Sequence, residues 1–142
     1  MAGITPEGGT VRHGRLAYRV VVERPLLRLE RLGHPDPGQL KHHCFAMLAE
    51  AHGRGAHALL IDERYMAGFM PEGLDSLLVY REIVREAQGR GLADRPLRIA
   101  VVSPREASAD HRYLAHAANG VGFEIAYFDT ESDAVAWLTS GR

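Results

Sequence analysis

The chain has 142 residues, a length that suits one folding unit of ordinary size. Hydrophobic residues make up 46% and charged residues 25%, so neither a disordered chain nor a fibre is expected. The 17 basic and 18 acidic residues give a formal net charge of −1, which provides no broad positive field for nucleic acid or an anionic membrane. We therefore expect a globular protein that binds neither.

The cysteine content and the apolar runs indicate the compartment. The single cysteine, Cys44, excludes an internal disulfide and a zinc site built from thiolates. The start of the chain lacks the charged and then apolar pattern of a signal peptide, and no apolar run reaches the ~18 residues that a membrane span needs. We expect a cytoplasmic protein without a cofactor.

The first half of the chain predicts a hairpin and a helix. Residues 1–14 hold four glycines and one proline, which predicts a flexible lead-in before a single domain over 15–142. Apolar and polar residues alternate over 16–23 and again over 27–30, which predicts a hairpin turned at Arg24 and Pro25. A helix that ends near Gly53 follows, and its expected inner face consists of Leu40, Cys44, Phe45, Leu48 and Ala51.

The second half predicts alternating strands and helices. The apolar run 58–61, closed by Asp62, is typical of a strand covered on both faces. The next expected elements are a helix over 71–89, a strand over 97–102, a helix over 107–119 and a strand over 123–128. A last helix opens at Asp129 or Thr130 and buries Ala134, Val135 and Leu138.

This order of elements predicts an α/β fold. We expect a mixed sheet of about five strands, an antiparallel hairpin followed by parallel strands, with four helices packed against it. Ligands of such sheets bind beyond the carboxyl ends of the parallel strands, where loops and helix N-termini converge. Here these ends carry 62–64, 103–105 and Asp129. We call this edge of the sheet the rim and look for a functional site there.

The end of the chain carries a family resemblance. The last helix, which opens at Asp129 or Thr130, holds an Ala-x-x-Trp-Leu pattern made of Ala134, Trp137 and Leu138. Together with the element order from Arg15 onward, it resembles the SpoIIAA-like superfamily, which contains the STAS domains of anti-sigma-factor antagonists, and above all its small bacterial stand-alone members. The resemblance implies a SpoIIAA-like fold that acts without catalysis by binding a partner protein or a small ligand. We expect a regulatory homodimer.

One departure concerns phosphorylation. The resemblance implies, for the phosphorylated antagonists, an Asp-Ser pair followed by a small residue and Gly at the start of the second helix. The similar pair here, Asp75-Ser76, follows Asp62 by thirteen positions and precedes two leucines. Ser76 is therefore a candidate phosphosite, but the sequence favours an exposed helix serine and no phosphorylation switch.

The eight histidines invite a test for metal binding. His42 and His43 are adjacent, and His111 and His116 are five residues apart. Neither spacing places two ligands on one face of a helix, which requires three or four residues. We expect no metal site.

The sequence also gives little support for a catalytic site. Ser103 does not lie in the G-x-S-x-G context that exposes a hydrolase nucleophile. Asp62 and Glu63 are adjacent at a strand end. Neighbours on an extended strand point to opposite sides, so the two carboxylates are not expected to act together as an acid and a base. Capping or salt bridges with Arg64 are the favoured roles. We expect no enzymatic activity.

Two groups at the rim are candidates for binding. Ser103 and Arg105 have the chemistry to hold a carboxylate or phosphate, although a turn followed by an ordinary helix cap is the favoured explanation. The loop 64–70 is either a partner-binding surface or a cover over its own core, and its candidate residues are Arg64, Tyr65, Met66, Phe69 and Met70.

The alternative function is a carrier or sensor of a small apolar or acyl ligand. The ligand would lie against the loop 64–70, with an anionic end near Arg64 or Arg105. This alternative requires a deep apolar pocket of roughly several hundred Å³, whereas an interaction module requires a closed core and an exposed patch.

Overall fold

The computed structural model describes residues 6, 8–23, 26–34, 36–66, 74–92, 97–103 and 123–140. Among these residues the chain forms six strands and three α-helices, with a short 3-10 helix (Pro37–Gln39) before the first of them. In chain order they are β1 (Thr10–His13), β2 (Leu16–Glu23), β3 (Leu26–Gly33), α1 (Leu40–Gly53), β4 (Ala58–Asp62), α2 (Leu74–Gly89), β5 (Leu97–Val102), β6 (Phe123–Phe128) and α3 (Glu131–Thr139).

All six strands lie in one sheet, and neighbours in the sheet are also neighbours along the chain. The first three strands are antiparallel, and β3, β4, β5 and β6 are parallel. The hairpin pairs Glu23 with Leu26 at its closed end and Leu16 with Gly33 at its open end. The predicted mixed α/β fold, a hairpin followed by parallel strands, is confirmed.

β1 is a strand where the sequence predicts a loose lead-in over 1–14, so the sheet has six strands rather than about five. Only Val11 among its four residues is aliphatic, so the alternating pattern that marks a strand is missing. The strand forms because its backbone pairs with β2 across a two-residue loop, in which Gly14 adopts a left-handed φ of 62°.

The helix count differs for another reason. The fourth helix that the sequence predicts, over 107–119, lies outside the described residues, as does Pro71, the predicted start of the second helix. α2 ends at Gly89, as the sequence predicts.

The larger core lies between one face of the sheet and helices α1 and α2, and we call it the α1/α2 face. Its buried members include Leu29, Leu59 and Ile99 from the strands and Ile83 and Ala87 from α2. Alternate residues of β3, β4 and β5 point to this face, since side chains change side at every step along a strand. The opposite face, which we call the α3 face, packs a smaller cluster against α3.

α1 turns inward a stripe that differs in part from the predicted one. His43 and Met47 are buried, whereas Cys44 and Phe45 are only half-buried. The stripe is shifted because two polar side chains of α1, His43 and Glu50, have hydrogen-bond partners on the strands below them. The predicted inner positions Leu40, Leu48 and Ala51 are buried.

α3 begins as the sequence predicts. Thr130 is its N-cap, and the Thr130 Oγ1 atom accepts a hydrogen bond from the Asp133 backbone N–H at 3.2 Å. Ala134 and Leu138 are buried against the sheet and Val135 is half-buried. The cap fixes the position of Glu131, the first residue of the helix, at the rim.

Loss of this cap has a small and specific expected effect. Thr130→Ala lowers the free energy of unfolding by about 1 kcal/mol, because the Asp133 N–H loses its acceptor. Thr139→Ala is the matched control at the other end of α3, where the hydroxyl bonds back to the Val135 and Ala136 carbonyls of the same helix. Urea unfolding of both variants measures the difference, and equal losses would show that the cap contributes nothing.

Candidate functional site

The rim is held by backbone hydrogen bonds between neighbouring strand ends. The Glu63 N–H, just after β4, donates to the Val102 carbonyl at 2.9 Å. The Ser103 N–H, just after β5, donates to the Phe128 carbonyl at 3.0 Å. The described strands therefore run in register to their carboxyl ends, and the side chains there occupy fixed positions.

Asp62, the last residue of β4, is the centre of a network of ion pairs at the rim. Its side chain is fully buried on the α3 face, and its Oδ2 atom lies 2.6 Å from Arg28 Nη2 and 2.6 Å from Arg64 Nη2. The other oxygen, Oδ1, accepts from the Arg64 backbone N–H at 3.0 Å and from Arg64 Nε at 2.9 Å. Both oxygens of this buried carboxylate are thus satisfied.

Glu131 connects the same two arginines to the start of α3. Its Oε2 atom lies 2.6 Å from Arg28 Nη1, and its Oε1 atom lies 2.8 Å from Arg64 Nη2. A carboxylate in the first turn of a helix is also stabilised by the helix dipole. Arg28 and Arg64 therefore fasten the N-terminus of α3 to the end of β4.

The network continues along β3 to Glu30. Arg28 Nε donates to Glu30 Oε2 at 3.2 Å, and Arg19 from β2 pairs with Glu30 Oε1. With these contacts the network contains three arginines and three carboxylates, so its formal charges balance. We call the set the rim network, and its members are Arg19, Arg28, Glu30, Asp62, Arg64 and Glu131.

The rim network keeps the carboxylates of Asp62 and Glu131 ionised at neutral pH. Burial alone would raise the pKa of Asp62, but hydrogen bonds and charge from Arg64 and Arg28 bring it below its usual value. The hydrogen bond from Arg28 likewise lowers the pKa of Glu131. A general acid or base works best with a pKa near the working pH, so these two groups are suited to holding structure together rather than to proton transfer.

Asp62 and Glu63 point to opposite faces of the sheet, as the sequence predicts. Asp62 belongs to the rim network on the α3 face. Glu63 instead lies 2.6 Å from Arg31 Nη1, and Arg31 also contacts His43 of α1. The two neighbouring carboxylates are therefore committed to separate ion pairs and do not form an acid and base pair.

The predicted binding residues are only partly brought together. Arg64 belongs to the rim network, and Tyr65 beside it is 50% exposed. Met66 is half-buried and forms a parallel bridge with Gly33, so this part of the loop packs on the end of β3. Ser103 is only 2% exposed, which removes it from the surface.

Six other positions singled out in the sequence lie wholly or partly beyond what the structure describes. Phe69, Met70 and Arg105 are outside the described residues, and so are His111 and His116. Ser76 lies in α2, but its side chain is outside the described set. Their roles stay predictions.

The sequence does not reveal a buried histidine pair on the α1/α2 face. His13 Nδ1 lies 3.2 Å from His43 Nδ1, and Arg31 Nε donates to His43 Nε2 at 3.1 Å. The spacing of His43 from Leu40 and Met47, three and four residues away on α1, is the signal that would have placed it inward. In the described part of the chain no three histidine, cysteine or acidic side chains are grouped closely enough to hold a metal ion.

A cavity of about 90 Å³ lies between the sheet and helices α1 and α2. Its lining is mainly apolar, with Arg31 and Glu63 as charged members and Cys44 as a thiol. Burial raises the pKa of Cys44 to about 11, so the thiol is protonated at neutral pH and is a poor nucleophile. The cavity has room for only a few heavy atoms.

No protein-family model and no curated protein matches the chain. Four chains of solved structures resemble it, including the following two. One is an uncharacterized protein of the DUF3478 family with a SpoIIAA-like fold from Shewanella loihica, 18% identical, covering 90% of this chain and 96% of that one with a TM-score of 0.49. The other is an anti-sigma factor antagonist from Mycobacterium paratuberculosis, 14% identical, covering 95% and 98% with a TM-score of 0.48.

Among the residues that the structure describes, no helix combines the length and apolar character needed to cross a bilayer.

Proposed function

We propose that the chain is a non-catalytic protein-interaction or regulatory module, of the kind to which its sequence bears a resemblance. The observation that carries this proposal is the exposed Tyr65 beside the rim network. Tyr65 is the large hydrophobic side chain that stands out to solvent in the described part of the chain, at 50% exposure. It lies at the edge of the sheet where such folds bind their ligands.

The charges around Tyr65 favour a protein surface over a small ion as the binding partner. Arg64 is the neighbouring cation, and its guanidinium is shared between Asp62 and Glu131. Tyrosine and arginine are enriched at protein interfaces, where a rigid aromatic ring supplies contact area and a hydroxyl supplies a hydrogen bond. Tyr65 is therefore an aromatic anchor that stands on a fixed, charge-balanced surface.

The alternative, a carrier of a small apolar or acyl ligand, has one observation in its favour. The cavity of about 90 Å³ on the α1/α2 face is largely apolar. Sites for drug-sized ligands occupy roughly 300–1,000 Å³, so this cavity suits a much smaller molecule than an acyl chain. Arg64, one of the two predicted partners for an anionic end, pairs with two carboxylates, and the other, Arg105, lies outside the described residues. We retain the interaction module as the proposal.

The proposal also includes a homodimer in the bacterial cytoplasm and the absence of a serine phosphorylation switch. Light scattering on the purified protein reports the oligomeric state directly. Incubation with a cognate serine kinase and intact mass measurement tests Ser76, and a mass gain lost in Ser76→Ala would overturn that part.

Photo-crosslinking in the native host tests the recognition surface. Tyr65→p-benzoylphenylalanine is expected to capture one specific protein, because the probe stands at the rim. The same probe at Gln88 is the matched control, since this exposed residue lies near the end of α2. A specific product at position 65 and none at 88 supports the proposal. No product at 65, or the same products at both positions, would contradict it.

A further inference from the structure

Strand β1 is attached to helix α1 by one side-chain hydrogen bond between histidines. His13, the last residue of β1, is 8% exposed, and His43 of α1 is fully buried. Their Nδ1 atoms lie 3.2 Å apart. β1 is an edge strand whose described backbone pairing is to β2 alone. The contact between the histidines therefore also attaches β1 to helix α1.

The direction of this hydrogen bond follows from Arg31. A guanidinium only donates, so His43 Nε2 accepts from Arg31 Nε and carries no proton. The proton of neutral His43 therefore sits on Nδ1 and is donated to His13. His13 Nδ1 must then be the acceptor, and its own proton sits on Nε2.

We propose that the His13–His43 hydrogen bond is an acid-sensitive latch that holds the edge strand β1 on helix α1 and opens when His13 takes up a proton. A proton on His13 Nδ1 places two N–H donors opposite each other at 3.2 Å. The bond is then lost and replaced by repulsion. Opening of the latch loosens β1 and exposes the backbone edge of β2.

The charges around the latch favour opening in acid. On the helix side, the His42 ring lies 4.9 Å from the His13 ring, centre to centre, and on the strand side Arg31 contacts His43. A proton taken up by either latch histidine therefore lies next to another basic side chain.

The nearby acids are already engaged. Glu63 pairs with Arg31, and Glu50 pairs with Arg54 while accepting from the Tyr18 hydroxyl. Tyr18 presents its ring to both latch histidines. Burial and His42 lower the pKa of His13, which sets the opening below neutral pH.

Amide hydrogen exchange of the segment 8–13, corrected for intrinsic rates, tests the latch. In the wild-type protein the protection of these amides is expected to fall about tenfold between pH 7.5 and pH 5, and the amides of β5 report the loss of global stability that accompanies it. His13→Asn keeps an acceptor oxygen in place of Nδ1 but does not titrate, so its protection is expected to change less than about twofold. His57→Asn, an exposed histidine remote from the latch, is expected to behave as wild type.

Two results would overturn the proposal. One is unchanged β1 protection in the wild-type protein at pH 5, and the other is equal loosening in His13→Asn. Should His13→Asn not fold, the nitrogen chemical shifts of the wild-type imidazoles give an independent answer. At pH 7.5 His43 must be protonated on Nδ1 and His13 on Nε2, and any other pair of tautomers contradicts the latch.

Discussion

Asp62→Asn is expected to lower the free energy of unfolding at pH 7 by about 3 kcal/mol, as measured by urea denaturation. The substitution keeps the size of the side chain and removes its charge. Arg28 then stays buried with one carboxylate fewer, and the new amide group turns a donor toward guanidinium donors. Removing one partner of a buried ion pair is costly because the other charge is left poorly compensated.

Glu124→Gln is the matched control for this experiment. Glu124 pairs with Arg98 at 2.8 Å, but its side chain is 57% exposed. Exposed ion pairs contribute about 0–1 kcal/mol, so this variant should remain close to wild type. A loss in Asp62→Asn no larger than that in Glu124→Gln would show that the rim network does not hold α3 on the sheet.

Acid is expected to destabilise the protein well before its carboxylates titrate. Burial, Arg31 and His13 lower the pKa of His43 from 6.5 to about 2. The unfolded state binds this proton below pH ~6.5 and the folded state does not, so stability is complete above that pH and falls as the pH decreases. One such group costs about 1.4 kcal/mol per pH unit, which gives about 2–3 kcal/mol by pH 4.5.

The pH dependence has its own control. His43→Gln is expected to flatten the slope of unfolding free energy between pH 6.5 and 4.5, although the variant starts from a lower stability because its contacts with Arg31 and His13 change. His57→Gln removes an exposed histidine and should leave the slope unchanged. Equal slopes in wild type and His43→Gln would show that His43 is protonated in the folded state.

The sheet could be predicted from the sequence because its strands carry strong local patterns. The alternation in β2 and the apolar run of β4 each mark a strand, and their order fixes a mixed sheet. The cap of α3 at Thr130 was equally local. β1 could not be found in this way, because its pairing with β2 comes from the backbone and its side chains carry no alternation.

The rim network could not be predicted because its partners are distant in the chain. Arg28 and Asp62 are 34 residues apart, and Arg64 and Glu131 are 67 apart. The alternation of β3 correctly places Arg28 on the face opposite Leu29, but a polar position on a strand normally predicts contact with solvent. Only the packing of α3 over that face shows that this arginine is buried.

The dissociation constant for the protein captured at position 65 tests the central claim most directly. Tyr65→Ala should weaken binding about 30-fold or more, as loss of an aromatic anchor does, while the free energy of unfolding stays within about 0.5 kcal/mol of wild type. This result would show that Tyr65 contributes to binding and not to stability. Asp62, in contrast, contributes to stability. Unchanged affinity in Tyr65→Ala would contradict a recognition surface at the rim.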